Sequence, residues 1–179
     1  EGLADAGGTQ HDVPSTAQCQ ECHQSPERDG VNGFSPLQLG AGSGFDLAAL
    51  AAGGYLSHKP AGSIAFPGSE IARAALGYLF ANCAHCHAGA TAPSGLELDT
   101  RLNNLTVEST PTFLTAVRVP LKYFSAPGVT SRIEPGNPSA SGIFHRMSSR
   151  SPGTQMPPLG TEGVDEAGNT KLEQWIKSL

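Results

Sequence analysis

Two short stretches hold every cysteine of the chain: "AQCQECHQ" at residues 17–24 and "NCAHCHAG" at residues 82–89. Each reads Cys-x-x-Cys-His, first as Cys19, Cys22 and His23, then as Cys83, Cys86 and His87. Two thiols at this spacing can add across the two vinyl groups on one edge of a porphyrin, and the next histidine then offers a nitrogen to the iron. The pattern is the attachment signature of c-type haem, and its duplication predicts two covalently held haems. Three other chemistries use the same residues. A Cys-x-x-Cys redox disulfide belongs in a βαβ context, which the sequence does not show. Two Cys-x-x-Cys pairs can share one zinc, but the intervening 60 residues (23–82) are far longer than zinc-finger spacings, and His23 and His87 would have no role. Disulfides closed within each motif suit a secreted chain.

An electron-carrying haem needs a second axial ligand, and methionine opposite histidine raises the potential. Met156 lies in "QMPPLG", where Pro157 and Pro158 stiffen the loop, and it is assigned to the second haem. The alternative is a surface methionine. Met147 falls on the apolar stripe of a predicted helix, where core filling is the ordinary role. For the first haem no methionine lies between His23 and Cys83, and His58 is the histidine of that interval. His58 is therefore the proposed distal ligand, with His11 or an open position as alternatives; a loop histidine beside Lys59-Pro60 with no metal role is the plain reading. His85, inside the second motif, is expected to be exposed or bonded to a haem propionate, and His145 to sit on a helix surface.

The elements that must position these groups are mostly helical. Asp46 caps a short helix over 45–54 that Gly53-Gly54 ends. Ser69 caps the clearest helix, 69–83, with Glu70 at its positive end and Ile71, Ala75, Leu76, Leu79 and Phe80 on one stripe. A helix over 137–149 starts with Asn137 and Pro138. The last helix, 165–179, carries Leu172, Trp175, Ile176 and Leu179 at i, i+3, i+4, i+7. Residues 14–45 and 55–68 read as mostly loop, with a turn of helix around Cys19. Short strands are expected at 105–107 and 113–119, and 151–160 cannot be helix. The fold class expected is mainly α and loop-rich: two haem units, 14–82 and 83–179, sharing the opening helix 69–82, after a linker or tail at 1–13.

Composition agrees with a thin apolar core. Hydrophobic residues are 38% and aromatics 6%, while the 22 Gly and 14 Pro together make about 20% of 179 residues, below the range of low-complexity disorder. A bound macrocycle would supply apolar bulk that the side chains lack. A net charge of -5 without a basic run excludes a nucleic-acid partner. No apolar run has membrane-spanning length, and the polar start "EGLADAGGTQ" reads as a mature protein or an excised fragment, with any leader removed.

Residues 77–87, "GYLFANCAHCH", together with "MPPLG" and "VDEAGNTKLEQWI", resemble class I cytochrome c; Ala75 and Leu79 stand where that family often places a small residue and an aromatic. Over nearly the whole chain, "HDVPSTAQCQECH", "GFSPLQL", "ALGYLFANCAHCH", "RIEPGNPSASGIFHRMSSR" and "QMPPLGTEGVD" resemble the C-terminal halves of secreted bacterial di-haem c-type cytochromes. The later blocks also resemble the planctomycete-type cytochrome c domain. The resemblance implies haem c on Cys19/Cys22 and Cys83/Cys86, Met156 distal to the second haem, maturation outside the cytoplasm, and another domain ahead of this region. It implies single-electron transfer between redox partner proteins in the periplasm or at the cell surface, with no catalytic residues. A di-haem peroxidase-like enzyme or a haem-based gas sensor, using an open site at the first haem, is the alternative.

Overall fold

The computed structural model describes residues 1–23, 34–40, 46–58, 64–90 and 92–179. The expected loop segments at 24–33, 41–45 and 59–63 lie outside the described residues. Among the described residues the chain is mainly helical: α1 (Thr16–His23), α2 (Pro36–Leu39), α3 (Leu47–Ala52), α4 (Glu70–Cys83), α5 (Pro111–Ala116), α6 (Gly142–Met147) and α7 (Glu166–Ser178), with short 3-10 turns between. Extended pairing is limited to isolated bridges such as Val117 with Ile133 and Ser131 with Ser141. No described helix is long and apolar enough to cross a membrane.

The caps expected from the sequence at Asp46 and Ser69 are in place, and Asp165 supplies a further one. The Ser69 hydroxyl accepts from the Ala72 amide at 3.2 Å, the Asp46 carboxylate from Ala49 at 2.8 Å, and the Asp165 carboxylate from Gly168 at 2.8 Å. Each satisfies an amide that the first helical turn leaves unpaired. The buried stripe of α4 is Ala72, Ala75, Leu76 and Leu79, a little rotated from expectation. Ile71 is 41% exposed and Phe80 is half-buried, because the small Ala72 is the residue turned toward Gly68.

Two expectations are corrected. Of the strands expected at 105–107 and 113–119, the first leads into a 3-10 turn (Val107–Ser109) and 113–116 belong to helix α5, while Val117 is extended and makes an isolated bridge with Ile133. Thr106 and Thr110 each accept an amide from the turn that follows, and Pro111 has the fixed φ of a first helical residue. Local capping therefore outweighs the β preference of these Thr and Val residues. The helix expected over 137–149 is divided: Asn137 caps a 3-10 turn, Pro138–Ala140, and α6 starts only at Gly142. Ser141 between them is extended, because Gly142 and Ile143 donate to the Ser131 and Arg132 carbonyls at 2.9 and 3.0 Å.

One core runs through these elements. Leu37 and Phe66, from ahead of α4, are buried with Leu76, Leu79, Ile133, Leu172 and Trp175. Helix α4 packs against both α2 and α7. At its crossing with α7, a Cβ on Gly168 would overlap the Tyr78 phenol, and the Tyr78 hydroxyl donates to the Asp165 carboxylate that caps α7. Burial, then Asp165, raises the Tyr78 pKa and keeps the hydroxyl protonated as that donor. A Gly168→Ala change must displace the ring from this bond. It is expected to lower unfolding stability by about 1–3 kcal/mol, the usual cost of overpacking, measurable by chemical denaturation.

Candidate functional site

Helix α4 delivers the second motif to a cavity. Cys83 is its last residue, and the chain then turns tightly, with Cys86 and His87 donating their amides to the Cys83 carbonyl at 3.1 and 2.8 Å. Cys83, Cys86 and His87 all line one cavity of about 270 Å³, and Met156 lines the same cavity. Its volume lies near the lower bound, roughly 300 Å³, of pockets that bury a sizeable organic ligand. Leu96, Leu98, Leu121 and Ile143 contribute apolar wall. The structure thus brings together, from residues 83 to 156, the four second-haem groups that the sequence singles out.

The chemical state of each group follows from its surroundings. His87 Nδ1 lies 3.0 Å from the Leu96 carbonyl oxygen. A carbonyl only accepts, so Nδ1 carries the hydrogen and, in the neutral ring, Nε2 keeps its lone pair. Burial, chiefly, lowers the His87 pKa, and Arg146 repels a proton there as well. The ring is therefore a neutral imidazole in one tautomer, the form a metal needs. The Leu98 amide donates to the His87 carbonyl at 2.7 Å, which fixes the backbone beside it. Burial, and then the neighbouring Cys86, push the Cys83 thiol up to about 12, so Cys83 is held as a protonated thiol. Cys83 is in no disulfide. Among the described residues no group of three or more His, Cys, Asp or Glu is placed to hold a metal ion.

Three arginines of the cavity wall were not legible as site residues. Arg132 is 8% exposed and donates to three carbonyls, Gly95 at 3.0 Å, Thr115 at 2.7 Å and Ser94 at 2.6 Å. Arg146 Nε donates to the Thr154 carbonyl at 2.8 Å. Arg150 donates from Nη2 to the Met147 carbonyl at 2.8 Å, but its Nε and Nη1 are buried with no partner, as is Asn169 Oδ1 beside the same cavity. Buried, unpaired guanidinium nitrogens are costly, and a carboxylate in the cavity would answer them. The signal in the sequence was local: Arg132, Arg146 and Arg150 fall within 19 residues of a chain with only 11 Lys and Arg.

The remaining candidates fall as follows. Met147 is buried in the core, as expected for filler, although one side of it meets the cavity. His85 is half-buried and lines the cavity. His145, expected on a helix surface, is half-buried with its ring centroid 5.4 Å from that of Phe124.

The first motif is differently built. Cys19, Cys22 and His23 all lie on the single helix α1. Cys19 and His23 are exposed. His58 is exposed in its loop, its Nδ1 3.2 Å from Ser57 Oγ. The alternative, His11, lies elsewhere: its Nδ1 is 2.9 Å from Glu162 Oε2. Residues 1–13, expected as linker or tail, carry a bridge between Leu3 and Val13 and meet Glu162 through His11 and the Asp12 amide. The cavity at the second motif includes neither Cys19, His23 nor His58.

No family model matches the chain, and neither a curated protein nor a solved structure matches it significantly.

Proposed function

We propose that this chain is a di-haem c-type cytochrome of two class I-like units, which passes single electrons between redox partner proteins in the periplasm or at the cell surface. The observation that carries the reading is the convergence of Cys83, Cys86, His87 and Met156 on one apolar-walled cavity, with His87 fixed as the Nδ1–H tautomer. Bound haem would supply a one-electron iron couple. Cys83 and Cys86 would hold it as thioethers, His87 Nε2 and Met156 Sδ would be donors to its iron, and Arg150, with its two unanswered nitrogens, would hold a carboxylate. The neutral thioether favours the reduced state and raises the potential.

For the first haem the proposal is attachment through Cys19 and Cys22, with His23 proximal and His58 distal. The units, 14–82 and 83–179 with α4 shared, follow the repeat of motif, loop and helix, and the burial of Leu37 and Phe66 in the same core as α7 is consistent with a shared helix. A preceding domain of the same polypeptide and outside redox proteins are the proposed partners.

Two measurements on protein from a haem c-maturing host test this. Intact mass is expected to exceed the polypeptide's 18.4 kDa by two haems. The ferrous spectrum is expected to show two low-spin haems that ignore carbon monoxide. A mass without added haem ends the reading; one gas-binding haem replaces the carrier with an enzyme or sensor and removes His58 as its ligand.

A further inference from the structure

Both hydrogen bonds that reach the loop 151–160 from a helix, among the described residues, end on Arg146. Its Nε donates to the Thr154 carbonyl at 2.8 Å, and its backbone carbonyl accepts the Met156 amide at 3.1 Å. One residue in the last turn of α6 thus grips the loop on both sides of Gln155. Alternative anchors are few by covalent chemistry. Pro157 and Pro158 have no N–H, so the Met156 amide is the last donor before the loop turns away. The loop's other bonds are short-range: Thr154 and Gln155 donate to Ser151, and Thr161 to Pro157.

The arginine is itself held. Its guanidinium carbon lies 5.3 Å from the Phe124 ring centroid, within cation–π range, and Phe124 also meets His145. The planar fork is oriented by a ring on one side and a carbonyl on the other, which less rigid lysine would not reproduce.

We infer that Arg146 is a positioning residue for the Met156 loop, and that with Phe124 behind it the arginine holds the thioether sulfur at the second haem against competing ligands. The inference rests on the proposed role of Met156 as that haem's distal ligand. A ligand on a loop that opens more often is displaced more easily, in proportion to the open fraction.

The test is imidazole titration of the ferric, fully haem-loaded chain, read as loss of the sulfur-to-iron charge-transfer band. In Arg146→Gln the apparent imidazole affinity is expected to rise about tenfold, equivalent to about 1.4 kcal/mol. In Phe124→Leu, which keeps the arginine but removes its backing, the expected rise is about threefold, and this variant decides the matter if Arg146→Gln does not fold. Met156→Ala, prepared alongside, must lack the band. If it lacks the band while both other variants keep wild-type imidazole affinity, the positioning role is wrong and the ligand assignment stands; a lower denaturation midpoint alone would then mean a structural arginine. If the band is missing from the wild type, or survives in Met156→Ala, the ligand assignment fails and this inference with it.

Discussion

Met156→Ala is expected to lower the reduction potential of the proposed second haem by on the order of 100 mV, a fraction of the ~0.8 V that axial ligands span, and to open its iron to carbon monoxide. The thioether is a soft, neutral donor that favours ferrous iron, and alanine leaves that position to water or an added ligand. Met147, the other methionine on the cavity wall, is a poor replacement. It is 7% exposed and packed in the core from α6, so turning it fully into the cavity would take apolar packing from that core. The first haem is the internal reference: its spectrum and potential are expected to stay unchanged. Potentiometric titration followed optically resolves the two haems. A second haem with wild-type potential and no affinity for carbon monoxide would place its distal ligand elsewhere.

The sequence spoke most clearly where chemistry is local. The caps at Asp46 and Ser69 each bond an amide three residues on, so a short window contains both partners. Met156, proposed as a ligand because few residue types make one and only two methionines exist, lines the cavity of the second motif. The strand reading failed over 105–107 and 113–116, because Thr106 and Thr110 serve as caps and cap and strand preference draw on the same Thr residues, whereas Val117 is extended and bridged to Ile133. The arginines were hidden by distance. Arg132 bonds carbonyls 17 to 38 residues away, and no periodicity reports a side chain that satisfies backbone across a fold. The distal ligand of the first haem was read by elimination from one interval, and elimination supplies no geometry. The placement of Cys19, Cys22 and His23 on one helix, by contrast with the turn that carries Cys86 and His87, was not visible in two motifs of identical spacing.

Arg132→Leu is expected to cost about 3 kcal/mol of unfolding stability, because it removes three hydrogen bonds from one charged donor at once. The three carbonyls belong to two segments: Ser94 and Gly95 on the loop after the second motif, and Thr115 on α5. Ser94 and Gly95 both have left-handed backbone, with φ of 61° and 65°, and Ser94 lacks glycine's freedom there, a strain of order 1 kcal/mol. The guanidinium fork therefore holds in place a conformation that the loop alone would leave. The next residue, Leu96, supplies the carbonyl that fixes the His87 tautomer, so the effect should reach the haem. Arg132→Lys, with one compact cation in place of the fork, is expected to recover about half of the loss by restoring one or two of the bonds. Denaturant unfolding gives the stability of both variants, and the second haem's Soret and charge-transfer bands report whether His87 still faces the iron. A loss below about 1 kcal/mol in Arg132→Leu, the scale of one ordinary hydrogen bond, would mean that water reaches these carbonyls through the cavity and that the arginine does not hold the loop.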